Sequence, residues 1–123
     1  MILVDTSVWV HHLRAGEPLL AALLLDEQVL LHPFVLGELA CGTLRHRRTI
    51  LDLLDHLPRA PVCSAVEELA FIEQRALMGR GIGYIDAHLL ASAALAGTAQ
   101  LWTRDRRLAE AAVRLKLAFD PDR

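Results

Sequence analysis

Four carboxylates stand where a plain core or surface pattern would not put them: Asp5, Glu38, Asp86 and Asp105. Asp5 directly follows the apolar run Met1-Ile2-Leu3-Val4, at the carboxyl end of a first strand, where open α/β sheets bind their ligands. Asp105 lies just beyond the apolar stretch ending at Trp102 and points to the same rim. Glu38 is set among Phe34, Val35, Leu36, Leu39 and Ala40, and its helical neighbours four residues away, Phe34 and Gly42, offer no countercharge. A carboxylate buried unpaired in such company is costly. Asp86 falls in the first turn of an apolar helix. Each acid also has an ordinary structural use: Asp5 as a turn or capping residue, Asp105 as an N-cap, Asp86 as a complement to the helix dipole. On one rim, however, the four would repel one another and need a cation between them.

Oxygen-only donors favour Mg²⁺ or Mn²⁺. Zinc would want histidine or cysteine; His88 is two residues from Asp86 and so leaves its helical face, and the adjacent His11 and His12 face different sides. An acidic Mg²⁺ or Mn²⁺ site suits phosphodiester hydrolysis by an activated water, leaving 5′-phosphate and 3′-hydroxyl ends, with one ion or with two about 4 Å apart. Thr6, Ser7 and Thr103 could support the carboxylates through hydrogen bonds or simply cap and turn the chain. Substrate phosphates would need cations nearby. Of thirteen Lys and Arg residues only Lys116 is lysine, and arginine's planar fork matches phosphate oxygens in pairs. Arg45 and Arg48, with His46 and Arg47, lie beyond Glu38; Arg80 precedes Asp86; Arg104 and Arg106, with Arg107, flank Asp105. Any one of them could be a plain surface residue. The net charge of −2 supplies no global field for a polyanion, so binding must come from a local patch.

The elements that must position these groups follow from periodicity and punctuation. Residues 1–4 read as a strand buried on both faces, followed by a helix over 6–13 and a second opened by Pro18 and ending near Leu25. Residues 28–31 read as strand. Pro33 opens a helix to about Cys41, stopped by Gly42, and apolar positions at 50, 51, 53, 54 and 57 stripe another. Pro58 and Pro61 bracket a turn into an edge strand near Val62. Ser64 and Glu67 form a capping box for a helix to about Met78. Residues 84–96, apolar nearly all round, read as a buried helix; 99–102 as a strand; Leu108, Ala111, Ala112 and Leu115 stripe a last helix; Ala118 and Phe119 end in a short strand. The alternation predicts an α/β fold: a single domain over residues 1–123 with a central parallel sheet of about five short strands flanked by helices. The chain is 54% apolar but only 5% aromatic, so Leu, Ala and Val must fill the core. Cys41 and Cys63 show no disulfide or CxxC spacing and read as buried free thiols. With no leader-like or membrane-spanning run, the expected setting is soluble and cytoplasmic.

Residues 2–10 (Ile-Leu-Val-Asp-Thr-Ser-Val-Trp-Val), Glu38 in Val-Leu-Gly-Glu-Leu, residues 83–93 (Gly-Tyr-Ile-Asp-Ala-His-Leu-Leu-Ala-Ser-Ala) and residues 101–108 (Leu-Trp-Thr-Arg-Asp-Arg-Arg-Leu) resemble PIN-domain proteins. They look most like the VapC toxins of bacterial toxin–antitoxin pairs, from Met1 to about Phe119. The resemblance implies endonucleolytic RNA cleavage at an Mg²⁺ or Mn²⁺ site, with metal positions matching Asp5, Glu38, Asp86 and Asp105 and a supporting hydroxyl at Thr103. It also implies a homodimer and a VapB-like antitoxin whose tail blocks the site. One departure stands out: many relatives carry a further acid soon after the first motif, where this chain has His11 and His12.

Other readings compete. A receiver domain would need a lysine at the carboxyl end of a late strand, and Lys116 lies before the last one. A haloacid-dehalogenase-type phosphatase would need a second aspartate where Ser7 stands. A DNA-directed nuclease, or a PIN-fold nucleic-acid-binding module without nuclease activity, remains as an alternative.

Overall fold

Three buried residues in succession make β1 (Ile2–Val4) a strand covered on both faces. In the computed structural model, which describes residues 1–123, β1 lies between β2 (Val29–Leu30) and β3 (Gln100–Trp102) in a parallel sheet of order β2-β1-β3. Leu3 stands opposite Leu30 on one side and Leu101 on the other, and Val4 stands opposite Trp102.

The sheet is smaller than the expected five strands. Three strands form, and the flanking segments join only as single parallel bridges, Leu31 with Arg59 and Leu101 with Ala118. The first bridge falls at Arg59, not near Val62. Leu31 N donates to Pro58 O (2.9 Å) and Ala60 N donates to Leu31 O (3.0 Å), but Pro61 then has no N–H to continue the ladder. The second is confined by the left-handed turn at Lys116 (φ 61°) and by Pro121 close behind.

Seven helices surround the sheet: α1 (Thr6–Ala15), α2 (Pro18–Leu25), α3 (Pro33–Cys41), α4 (Arg47–Asp55), α5 (Ala65–Gln74), α6 (Tyr84–Ala96) and α7 (Arg106–Arg114). Side chains of Asp5, Glu17, His32, Ser64 and Asp105 cap five of them, and Ser64 with Glu67 completes the capping box. α5 stops at Gln74, short of Met78. Ala76 adopts φ 51°, Leu77 N bonds back to Ile72 O, and Arg114 Nη2 donates to the freed Arg75 carbonyl (2.6 Å). Ala87 through Ala93 of α6 are all buried, because α6 packs on both α5 and β3. Leu3, Leu20, Leu31, Leu89, Leu90, Leu101 and Leu108 fill the core with Trp9. Cys63 is buried as expected, but Cys41 is exposed: it lies one turn beyond Glu38 on the open side of α3. No helix is long and apolar enough to cross a membrane.

The interior also holds His32, Glu68, His88 and Ser92. Burial pushes the Glu68 carboxyl up from its ordinary 4.5 to about 7. Burial, aided by nearby His88, brings His32 down from 6.5 to about 4. Glu68 therefore keeps its proton in the fold at pH values where the unfolded chain has released it. Its contribution to stability is present below pH 4.5 and is lost as pH rises through about 7. His32 works in the opposite sense, losing stability as pH falls from 6.5 through about 4. Glu68 faces His88; burial pushes the nearby Cys63 thiol up, and the charges of Glu68 and Glu67 add to the rise. Comparing Glu68→Gln with the wild type isolates the Glu68 contribution. The melting-temperature advantage of the variant should grow between pH 4.5 and 7 and stay level below 4.5. A difference independent of pH across thermal melts would contradict this assignment.

Candidate active site

Parallel register sets the first two groups of the site. Because Val4 pairs with Trp102, the next residues, Asp5 and Thr103, leave the sheet side by side at its carboxyl edge. Asp5 N donates to Trp102 O (2.9 Å), and Thr103 Oγ1 donates to Asp5 Oδ2 (2.7 Å). Ser7, in the first turn of α1, donates its hydroxyl to the same oxygen (2.8 Å). The other oxygen, Oδ1, accepts from Thr6 N (2.8 Å) and caps α1. Asp5 is 6% exposed. Its carboxylate is held in one orientation by three donors, two of them side chains from different ends of the sequence.

The same hydroxyls tie in the last acid. Asp105 N donates to Thr103 Oγ1 (3.0 Å) and Arg104 N to Ser7 Oγ (2.9 Å). Asp105 itself caps α7, its Oδ1 accepting from Leu108 N (3.0 Å), and stays exposed. The capping reading and the rim position are both correct for Asp105, as they are for Asp5.

Glu38 comes from α3, which packs on α1. Its Oε1 accepts from Thr6 Oγ1 (2.7 Å), so all three hydroxyls singled out in the sequence bind acids of the rim. Glu38 is exposed, so the cost of burying an unpaired acid does not arise. Asp86 is half-buried in the first turn of α6, where its Oδ2 accepts from Gly83 N (3.2 Å). Burial raises its carboxyl above the ordinary 3.8; the Gly83 hydrogen bond opposes this, and the charges of Asp5, Asp105 and Glu38 add to the rise. Asp86 thus feels all three other acids.

An all-oxygen, net-negative rim is what a hard divalent cation requires. The side chains do not form a closed cage: no three His, Cys, Asp or Glu groups close on one point at metal-ligand distance. Each acid is instead turned to a hydrogen-bond donor of its own, as mutual repulsion dictates. Exposed Glu38 and Asp105 are the two with room to swing inward. Donor chemistry and electrostatics fit a divalent ion, and side-chain rotation would bring the ligands to it.

The basic residues divide. Arg45 lines a groove of about 300 Å³ with Glu38, Val10, Leu13 and Arg14. Arg14, on the last turn of α1, was not singled out in the sequence, where nothing but its place on a helix beside the first motif marks it. Arg48 is exposed on α4, and the backbone of Arg104 is fixed against Ser7. Arg80 folds back onto Ala76 O (2.8 Å) and Arg106 lies 3.6 Å from Glu110. Arg47 donates to Ala40 O (2.8 Å). Arg107 lies against Gly81, whose φ of 76° and lack of a side chain admit it.

The sequence profile of the PIN domain matches residues 2–114. Ribonuclease VapC32 of Mycobacterium tuberculosis, in strains CDC 1551 / Oshkosh and ATCC 25618 / H37Rv, is 52% identical over 108 residues, 88% of this chain and 87% of the relative. With a parallel β2-β1-β3 sheet carrying the acids at its carboxyl edge, the chain belongs to the PIN-domain family.

Proposed function

We propose that this chain is a metal-dependent endoribonuclease, the toxin of a VapBC-type toxin–antitoxin pair, and that residues 1–123 form one nuclease domain acting in the cytoplasm. The observation that carries the reading is the gathering of the acids at the carboxyl edge of the sheet: Thr103 and Ser7 bind Asp5, Thr103 also binds the backbone of Asp105, and Thr6 binds Glu38. The ribonuclease name of its relative supports RNA as the substrate. Asp5, Glu38, Asp86 and Asp105 would hold Mg²⁺ or Mn²⁺. Such an ion supplies an activated water and neutralises charge on the phosphate as the P–O bond breaks.

The chain's own residues do the positioning. Thr103 and Ser7 fix the Asp5 carboxylate, and Thr6 holds Glu38 toward the same rim. Arg45 and Arg14, in the groove beside Glu38, would hold phosphates flanking the bond to be cut. Arg48, Arg80, Arg104 and Arg106 would extend that track, those now engaged locally being released to do so. The same groove, apolar at Val10, Leu13 and Leu39 and charged at its margin, suits the tail of a VapB-like antitoxin. A homodimer is the assembly that agrees with the family.

Purified protein free of antitoxin should cleave RNA with Mg²⁺ or Mn²⁺ and leave 5′-phosphates. EDTA and Asp5→Asn should each abolish cleavage, and Glu38→Gln should do so with its fold intact by circular dichroism. A 2′,3′-cyclic phosphate end would refute the hydrolytic route, and folded, metal-loaded protein cutting neither RNA nor DNA would leave a binding module. Thr103→Val should weaken Mn²⁺ binding about 10- to 100-fold while costing only about 1 kcal/mol of stability; unchanged calorimetric affinity would remove Thr103 from the supporting role. Without the ion, the raised Asp86 makes its contribution to stability fall as pH climbs past 3.8. A bound cation favours the ionised form, so Mn²⁺ should raise the melting temperature near neutral pH and progressively less toward pH 3.8. An equal rise at both pH values would count against these carboxylates as ligands.

A further inference from the structure

α5 buries the wrong residue for stability alone. Val66 and Leu69 face solvent, 79% and 63% exposed, while Glu68 between them is 0% exposed. Glu68 points at α6, its Oε2 standing 3.5 Å from His88 Nδ1. Neither carboxyl oxygen of Glu68 has a hydrogen-bond partner, nor does His88 Nδ1 or Ser92 Oγ one turn further along α6. An apolar side chain in place of Glu68 would cost the fold less, and α5 has such residues to offer.

What the acid touches explains its place. The His88 ring is met edge-on by Phe34 at 4.8 Å and Tyr84 at 4.7 Å, with His32 at 6.3 Å. Phe34 lies one turn before Glu38 on α3, and Tyr84 opens α6 two residues before Asp86. His32 caps α3, its Nδ1 accepting from Phe34 N (3.0 Å), which leaves its Nε2 as a protonated donor with no partner. His88 is therefore the wedge between the two helices that bring Glu38 and Asp86 to the rim, and Glu68 is the polar group facing its inner nitrogen. A ring held only by edge-on contacts can rotate or slip; a hydrogen bond at Nδ1 gives it one orientation.

We propose that Glu68 and His88 form a positioning dyad: the buried Glu68 carboxyl fixes the His88 imidazole, which sets the spacing of α3 from α6 and so of Glu38 from Asp86. The inference rests on the metal-site reading above. The dyad is a hydrogen bond between a Glu68 carboxyl oxygen and His88 Nδ1 that needs only a small approach across the 3.5 Å gap.

The test uses the full chain, with Mn²⁺ itself as the probe. Its affinity is read from the electron paramagnetic resonance signal of free Mn²⁺, beside thermal melts. Glu68→Leu should melt no lower than the wild type yet bind Mn²⁺ about tenfold more weakly, the lower end of what supporting residues cost. Glu68→Gln, whose amide can still donate to Nδ1, should restore the affinity. His88→Phe, which keeps a ring but loses Nδ1, should weaken binding as Glu68→Leu does, and the double variant should be no worse than either single one. If Glu68→Leu does not fold, the contrast of His88→Phe with Glu68→Gln decides the matter alone. Wild-type affinity in Glu68→Leu or His88→Phe would overturn the dyad while leaving the metal site standing. Loss of stability and affinity together, without recovery in Glu68→Gln, would mark Glu68 as purely structural and also overturn it. A wild type that binds no Mn²⁺ would remove the metal reading and this inference with it.

Discussion

The pairing of Val4 with Trp102 in a parallel register is the constraint from which the rest of the site follows. A shift of one residue would turn each strand's side chains to the opposite face and part Asp5 from Thr103. In the observed register the carboxylate after β1 and the hydroxyl after β3 emerge as neighbours, and both strands lead within a few residues into helices, α1 at Thr6 and α7 at Arg106. Asp5 caps α1 and Asp105 caps α7, so the groups that form the rim also start the helices that carry Ser7 and Arg106. Structural and chemical roles are therefore not alternatives at these positions. One carboxylate oxygen serves the backbone and the other side chains, or is left free.

Against this stands the cost of gathering like charges. Asp86 bears that cost: burial and then the three neighbouring acids disfavour its ionised form, opposed by the Gly83 hydrogen bond. A leucine-rich core around β1, α6 and α7 supplies the stability that the rim gives up, and hydroxyl donors from Thr6, Ser7 and Thr103 offset part of the repulsion. Glu68 is a cost of another kind, a carboxyl buried against His88 with no hydrogen-bond partner for either oxygen.

Much of this was legible in the sequence because it depends on local chemistry. Pro18, Pro33 and the Ser64–Glu67 capping box mark their helices directly, and residues 84–96, apolar nearly all round, read as a buried helix. The acids were legible because each breaks an apolar pattern or follows one. Long-range effects were not. The two outer segments look strand-like, but their ladders end at a single bridge, for reasons set by Pro61 and by the turn at Lys116. The end of α5 depends on Arg114, 39 residues from the carbonyl it binds. Nothing in the sequence marks Glu68, an acid of a first helical turn, and only the packing of α5 on α6 shows that it points inward. Cys41 was expected to be buried because its type usually is, and its position beside Glu38 on the open face of α3 overrode that preference.

The central claim is that the four rim carboxylates hold a divalent cation. Crystals soaked in Mn²⁺ and measured at its absorption edge test it directly. The account predicts an anomalous peak enclosed by Asp5, Glu38, Asp86 and Asp105, with Glu38 and Asp105 rotated inward from the donors they face here. No peak at the rim, in crystals whose Mn²⁺ is seen elsewhere or not at all, would contradict it.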